Sequence, residues 1–152
     1  MIESISKKLA PTGELRVGLN MSNFLLVSSK NANGSPEGVS PDIGKKLAEE
    51  LNVICKLVQF EKPGLLADAV NEDKWDIGNI ACEKERAKSI DFSDPYVNID
   101  ANFIFRKKDN FKTNDDINSR EIKIAVLDRS AYDLWLTENF KNIELIRVNT
   151  IE

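Results

Sequence analysis

Apolar positions repeat with helical spacing in some segments of the chain and with strand spacing in others. Helical spacing predicts helices over residues 2–9, 40–51, 63–70 and 130–140. Strand spacing or short apolar runs predict strands over residues 14–19, 53–60, 75–80, 102–106, 122–127 and 143–148. Strand and helix therefore alternate on both sides of a charged break near residues 107–120, an order typical of α/β sheets in two lobes.

Capping and turn residues mark the points where these helices begin. Ser40-Pro41-Asp42 combines a capping side chain, a first-turn proline and an acidic group at the positive end of the helix dipole. Ser130, with Asp133 following on the next turn, resembles a capping box that has aspartate in the usual place of glutamate. Residues 28–41 are rich in Asn, Gly, Ser and Pro, which predicts a surface loop.

The pattern predicts two lobes of unequal completeness. The strand–helix–strand piece after the charged break is too small to form a sheet that is covered on both faces. We therefore expect a first lobe over residues 1–106 and a partial second lobe over residues 107–152. Sheet edges left open by the truncation make a homo-oligomer a candidate.

Composition narrows the classes of function. The chain has 152 residues, of which 41% are hydrophobic and 30% charged, with a net charge of −4. This balance is that of a globular protein, and a surface of this charge repels nucleic acid, so we expect no nucleic-acid partner. No apolar run has the length of a membrane span. The first residues, Met1-Ile2-Glu3-Ser4-Ile5, do not read as a signal peptide, which leaves a cytoplasmic protein or a removed leader.

The absence of histidine limits the chemistry of the chain. Without histidine there is no Ser-His or Cys-His nucleophile and no histidine metal ligand. The cysteines, Cys55 and Cys82, lack the spacing of a zinc site, so we expect no metal and no cofactor. We expect both cysteines to be buried thiols, while a disulfide between them remains an open alternative.

Ligands of open α/β sheets bind beyond the carboxyl ends of the strands, where three segments of this chain fall. These segments are residues 20–24, 79–86 and 128–131. Arg86 offers a planar fork suited to a carboxylate, Ser130 offers a hydroxyl at a helix start, and Phe24 can cover an apolar part of a ligand. The plainer alternatives are a solvated arginine, a simple helix cap and a core phenylalanine. The carboxylates of residues 83–94 are a weaker candidate, for acid–base chemistry.

Several motifs in register resemble the family 3 solute-binding proteins, the amino-acid-binding components of bacterial ABC transporters. The motifs are Gly13-Glu14-Leu15-Arg16-Val17-Gly18, Gly38-Val39-Ser40-Pro41-Asp42, Trp75-Asp76-Ile77-Gly78, Glu85-Arg86 and Asp91-Phe92-Ser93-Asp94-Pro95-Tyr96. The resemblance implies an α/β, periplasmic-binding-protein type II-like fold, with one nearly complete lobe and the start of a second. It also implies a ligand-binding wall in the first lobe (1–106), a hinge at the start of 107–152 about which the lobes close on a small ligand, and a periplasmic location.

The same resemblance implies a function and a site. The protein would capture a small carboxylate-bearing ligand, an amino acid, for the membrane subunits of an ABC transporter, without acting as an enzyme. In relatives the arginine at the position of Arg86 grips the α-carboxylate of the ligand, and the helix start corresponding to Arg129-Ser130 binds the same group. The ligand-binding residues that we expect are Asn23, Phe24, Lys62, Asn79, Arg86, Arg129 and Ser130.

Departures from the family pattern bear on recognition of the ligand. Relatives commonly carry serine or threonine just before the arginine, where this chain has Asn79, Ala81, Cys82 and Glu83. Their usual glycine is Arg129 here, which either adds charge or blocks the cleft. The acidic residue that holds the ligand's ammonium group lies in a part of the second lobe that this chain lacks. We therefore expect weak binding, a fragment, or completion by pairing with another chain.

Two further functions compete with solute binding. A dehydratase or lyase on the same fold needs a positioned acid or base, for which Glu83 or Glu85 with a pKa raised by burial is the candidate. A truncated lobe without a transport role would instead act through oligomerisation.

Overall fold

The computed structural model describes residues 2–119 and 121–150, and its contacts divide the chain into compact units over residues 1–81 and 82–152. The first unit contains α1 (Ile2–Leu9), β1 (Glu14–Asn20), β2 (Ser29–Lys30), β3 (Pro36–Glu37), α2 (Val39–Leu51), β4 (Ile54–Phe60), α3 (Pro63–Asp68) and β5 (Ile77–Asn79). The second contains α4 (Asn114–Asn118), β6 (Lys123–Leu127), α5 (Ala131–Asn139) and β7 (Glu144–Val148). Single 3₁₀ turns lie at Ala69–Glu72, Arg86–Lys88 and Lys107–Asp109.

A parallel sheet with strand order β4-β1-β5 forms the centre of the first unit. Leu15, Val17 and Leu19 of the central strand β1 are fully buried, because both neighbouring strands and the packed helices exclude water from them. Helix α2 packs closely on β1: a Cβ added at Gly44 would lie 2.7 Å from the Cγ1 atom of Val17. Only glycine allows the helix to come this near to the strand.

The Trp75-Asp76 motif before β5 has a structural role. The guanidinium of Arg16 in β1 donates to both carboxylate oxygens of Asp76, from Nε at 3.0 Å and from Nη2 at 2.6 Å, and the Arg16 backbone N–H donates to the same carboxylate at 2.7 Å. The indole N–H of Trp75 donates to the carbonyl oxygen of Leu66 at 2.9 Å. These contacts fix the start of β5 against β1 and α3.

The second unit is a single strand–helix–strand motif with a small core. Strands β6 and β7 pair in parallel, with Val126 opposite Arg147. The core contains Ile117, Val126, Leu136 and Phe140, against which Phe103 and Phe111 pack. Helix α4 begins with a capping box in which Thr113 accepts from the N–H of Asp116 and the Asp116 carboxylate accepts from the N–H of Thr113.

Most of the predicted elements are confirmed, with ends that shift by no more than two residues. The exception among strands is 102–106, where the prediction is wrong: these residues form no regular structure, and Ile104 is fully exposed. Alternating apolar residues specify a strand only when a neighbouring strand offers its edge, and the described residues supply no such partner here. The predicted loop over 28–41 contains the β2–β3 hairpin.

Two helix predictions are also corrected in detail. Helix α2 begins at Val39 after Gly38 rather than after a capping Ser40, because Gly38 has a φ of 131° and a Cβ there would lie 2.6 Å from the Leu26 carbonyl oxygen. In α1, Leu9 packs on the core but Ile5 is 43% exposed. The spacing of Ile2, Ile5 and Leu9 predicts one helix face, and the side chain of Ile2 lies outside the described residues.

The cysteine prediction is wrong for one residue. Both thiols are free; Cys55 is half-buried and Cys82 is exposed. Cys82 lies in the irregular segment that follows β5. The predicted division of the chain into lobes over residues 1–106 and 107–152 stays a prediction.

Candidate functional site

Four of the predicted ligand-binding residues lie at one edge of the first unit's sheet. Asn23 and Phe24 follow β1, Lys62 follows β4, and Asn79 is the last residue of β5. These strands run in parallel, so their carboxyl ends meet at the same edge.

The side chains at this edge differ in their exposure and in their hydrogen bonds to the rest of the unit. Phe24 is 66% exposed, so it is not the core residue of the plainer alternative. The side-chain amide of Asn79 donates to the carbonyl oxygen of Ser40 at 3.4 Å, near the start of α2. Lys62 caps the start of α3 and is half-buried, and Asn23 belongs to the turn after β1.

The other three predicted residues, Arg86, Arg129 and Ser130, come together in the second unit. Arg86 is the first residue of the 3₁₀ turn Arg86–Lys88, and it is only 4% exposed. Its guanidinium Nη2 donates to the carbonyl oxygen of Arg129 at 3.1 Å. Arg86 is therefore a buried cation in contact with the turn that precedes α5, not a solvated surface charge.

Burial also shifts the acid–base properties of this group of residues. Burial lowers the pKa of Arg86, and the like charge of Arg129 adds to the effect while Glu83 opposes it. Burial raises the pKa of the half-buried Glu83, against the opposing charge of Arg86 and with the help of Glu138. A guanidinium keeps its proton at any pH at which proteins are folded, so the Arg86 charge persists.

The turn before α5 has an unusual backbone conformation. Arg129 has a φ of 55°, in the left-handed region that side chains other than glycine and asparagine seldom adopt. Ser130 follows as the N-cap of α5, and its hydroxyl oxygen accepts from the N–H of Asp133 at 3.2 Å. The return contact differs from the predicted capping box, because the Asp133 carboxylate accepts from the N–H of Arg129 at 2.8 Å.

Asp133 is a residue of this region that the sequence identified only as a cap partner. It is 2% exposed, and its carboxylate also accepts from Arg147 of β7 and from the hydroxyl of Thr137. No local signal points to this pairing, since Arg147 lies on the far strand of the motif. This contact joins a helix residue to the strand that follows, so it depends on how α5 packs against β7, which local sequence does not encode.

The chemistry of this group suits an anion. Arg86 supplies a fixed positive charge, and the first-turn N–H groups of α5 that lack an intrahelical acceptor add partial positive charge. The Ser130 hydroxyl uses its oxygen as an acceptor within the cap, which leaves its hydrogen available for donation.

Among the residues described, no group of three or more acidic or cysteine side chains is placed to hold a metal ion. In the same part of the chain, no helix has the length and apolar character that crossing a bilayer requires.

The family model of the bacterial extracellular solute-binding proteins, family 3, matches residues 15–138. The chain belongs to this family. An L-arginine-binding protein of Pseudomonas aeruginosa is 30% identical over 143 residues, which cover 90% of this chain and 53% of that protein. The L-cystine-binding protein TcyJ of Escherichia coli K12 is 25% identical over 147 residues, which cover 94% of this chain and 54% of that protein. This family 3 chain therefore spans about half the length of these relatives.

A solved structure supports the same fold. The crystal structure of an ancestral amino acid-binding protein, described as a precursor of cyclohexadienyl dehydratase, is 26% identical and superposes with a TM-score of 0.75. The match covers 96% of this family 3 chain and 65% of the ancestral protein. The predicted type II periplasmic binding fold, with a partial second lobe, is thereby confirmed.

Proposed function

We propose that this protein captures a small carboxylate-bearing solute, an amino acid, as the extracytoplasmic binding component of an ABC transporter. The protein would hold the solute without changing it chemically and present it to the membrane subunits of the transporter. Family membership supports the class of function, and the names of two relatives point to amino acids as ligands.

The observation that carries the proposal is the buried guanidinium of Arg86. At 4% exposure it lies against the carbonyl oxygen of Arg129, one residue before the Ser130 cap. Burying a cation is unfavourable unless anionic or polar groups compensate it. A carboxylate that accepts parallel hydrogen bonds from a guanidinium compensates it with matched geometry.

The proposal assigns roles to the remaining predicted residues as well. Arg129 is exposed beside Arg86 and would add positive charge for an anionic ligand. At the sheet edge of the first unit, the exposed ring of Phe24 would cover apolar parts of a solute. The polar side chains of Asn23, Lys62 and Asn79 would bind its polar groups there.

Isothermal titration against a panel of L-amino acids that includes L-arginine, L-lysine and L-cystine tests the proposal. For each ligand that the wild type binds, Arg86→Ala should weaken binding by about 10- to 150-fold, since a hydrogen bond to a charged group contributes about 1.5–3 kcal/mol. Arg86→Lys should recover only part of the loss, because an ammonium group lacks the planar fork.

A matched control is available in the same unit. Arg106→Ala removes an arginine whose side chain is 76% exposed and paired with Asp109, so it should leave ligand affinity unchanged. Equal affinities for the wild type and Arg86→Ala would refute the assignment of the site. The absence of binding to every amino acid in the panel would refute the class of ligand.

A dehydratase or lyase is the second candidate, because burial raises the pKa of Glu83 toward the range where a carboxylic acid donates a proton. The ancestral amino acid-binding protein, described as a precursor of cyclohexadienyl dehydratase, supports keeping this candidate. Incubation with prephenate-like substrates distinguishes the functions: turnover that is lost in Glu83→Gln favours the enzyme, and no turnover favours solute binding. Light scattering checks the remaining alternative, a lobe that acts as a homo-oligomer.

A further inference from the structure

We infer that Asp133 is a positioning residue: with Arg147 it holds the Arg129 turn in the conformation that receives the guanidinium of Arg86. The inference concerns how the anion-binding arginine is oriented, and its consequence for affinity rests on the proposed function. Asp133 itself does not need to touch the ligand, because it acts through the backbone of Arg129.

The first link runs from Asp133 to the turn. Its carboxylate Oδ2 accepts from the backbone N–H of Arg129 at 2.8 Å, while its own N–H donates to the Ser130 hydroxyl at 3.2 Å. Arg129 is held with a φ of 55°, a conformation that an arginine adopts only when surrounding contacts favour it. Asp133 therefore fixes the residue before the cap through its carboxylate, and the cap itself through its backbone N–H.

The second link runs from the turn to Arg86. The carbonyl oxygen of Arg129 accepts from Nη2 of Arg86 at 3.1 Å. A rotation of the Arg129 peptide out of the left-handed region would turn this carbonyl away from the guanidinium. The direction in which the Arg86 fork points therefore depends on the conformation that Asp133 maintains.

The third link holds the carboxylate in place. Nε of Arg147 lies 3.0 Å from each carboxylate oxygen of Asp133, and its Nη2 lies 2.9 Å from Oδ1. The hydroxyl of Thr137 donates to Oδ1 at 3.2 Å and in turn accepts from Nη2 of Arg147 at 2.9 Å. The hydrogen bond and charge of Asp133 raise the pKa of Arg147, as expected for a firm ion pair.

The environment of Asp133 explains why an amide cannot replace it. The side-chain partners of both carboxylate oxygens, and the N–H of Arg129, are hydrogen-bond donors. An asparagine at this position would point its NH₂ group at donors in a site that is 2% exposed, where water gives little relief. Asp133→Asn should therefore release either Arg129 or Arg147 while changing the side-chain volume very little.

The test compares Asp133→Asn, Asp133→Glu and Arg147→Met with the control Thr113→Ala. Thr113 caps another helix of this unit, α4, so its replacement lowers stability through the loss of a different N-cap. Circular dichroism first establishes the temperature at which all variants are folded. Two readouts are then taken on the full chain: the NMR signals of the Arg129 amide and of the Arg86 side-chain N–H groups, and the affinity for L-arginine.

Positioning by Asp133 predicts a specific pattern in these readouts. In Asp133→Asn and Arg147→Met, the Arg129 amide should exchange faster and the Arg86 side-chain signals should shift toward those of a solvated arginine. Affinity for L-arginine should fall by about tenfold, the scale typical of losing a group that orients a ligand-binding side chain. Asp133→Glu should recover part of both effects because it keeps the charge, and Thr113→Ala should change neither.

The outcomes separate this inference from the proposed function. Arg86 signals in Asp133→Asn that match those of the wild type overturn the positioning role, whatever happens to affinity. Shifted Arg86 signals with unchanged affinity for L-arginine overturn its relevance to binding and leave the proposed function intact. If the wild type binds no amino acid, the proposed function fails, and the NMR comparison still decides whether Asp133 orients Arg86.

Discussion

Replacing Gly18 by alanine should destabilise the first unit, because its sheet has no room for a methyl group at that position. A Cβ at Gly18 would lie 2.5 Å from the Cδ1 atom of Leu66 and 3.2 Å from the Cγ atom of Trp75. Leu66 is 0% exposed, so its side chain cannot swing into solvent to relieve the overlap. The strain must be taken up by β1, by α3 or by the rotamer of Leu66.

The size of the effect follows from two opposing contributions. Overpacking of a filled core costs about 1–3 kcal/mol. The alanine also restricts the unfolded chain, which stabilises the folded state by about 0.4–1 kcal/mol. We therefore expect Gly18→Ala to lower the free energy of unfolding by about 1–2 kcal/mol.

Gly78 provides a matched control, because it is the partner of Gly18 in the register of β1 and β5. A Cβ at Gly78 would lie no closer than 3.5 Å to the Trp75 ring, which is ordinary van der Waals contact. Gly78→Ala should therefore be neutral or stabilising by up to about 1 kcal/mol. Urea titrations followed by far-UV circular dichroism, evaluated with a common slope, measure the free-energy difference.

A double variant tests the mechanism. Leu66→Ala alone should cost about 2.7–5 kcal/mol through the cavity it leaves. In Gly18→Ala/Leu66→Ala the new methyl group occupies part of that cavity, so the combined cost should be smaller than the sum of the single costs. Additive costs, or a Gly18→Ala variant as stable as Gly78→Ala, would show that the close approach at Gly18 does not constrain the sheet.

Two further predictions concern titratable side chains. Burial raises the pKa of Glu83, so the folded state binds the carboxyl proton more tightly than the unfolded state does. The stability of the wild type relative to Glu83→Gln should therefore fall as the pH rises from about 4.3, the ordinary glutamate pKa, through the raised pKa of the folded state. Urea titrations across this range check it, and a difference independent of pH would contradict it. Burial likewise raises the pKa of the Cys55 thiol, whereas Cys82 is exposed, so Cys82 should react first with a thiol reagent near neutral pH. Equal reaction rates for the remaining thiol in Cys55→Ser and in Cys82→Ser would contradict this order.

The local pattern of the sequence was sufficient for most of the fold because the strongest elements bury one face each. In strand β1 every second side chain, at Leu15, Val17 and Leu19, points into the core and is 0% exposed. A strand with this alternation has one stable register. Residues 102–106 show the limit of the method. Their apolar content resembles a strand, but a strand also needs a partner edge, which local sequence does not encode.

The residues of the candidate site were proposed from the sequence, and their role in binding stays a prediction; their geometry came only from the structure. The placement of Arg86 and Ser130 beyond strands of an α/β sheet suggested that both belong to ligand-binding segments, and the structure brings them to one turn. The left-handed Arg129 was not foreseeable, because arginine has no preference for that conformation. The pairing of Asp133 in α5 with Arg147 in β7 depends on how the helix packs against the strand, which is set over the whole motif.

Under the proposed function, the burial of Arg86 would couple ligand binding to folding stability. Burial lowers its pKa, which means that water solvates this charge better than the folded protein does, and yet the guanidinium stays charged. An anion that binds the buried guanidinium binds the folded state and not the unfolded state. Such binding stabilises the folded state by mass action. At a ligand concentration of about 100 times Kd the stabilisation amounts to about 2.7 kcal/mol. The test is whether an amino acid raises the unfolding temperature of the wild type and of Arg106→Ala but not that of Arg86→Ala. That result would show that the ligand stabilises the fold through the buried charge of Arg86.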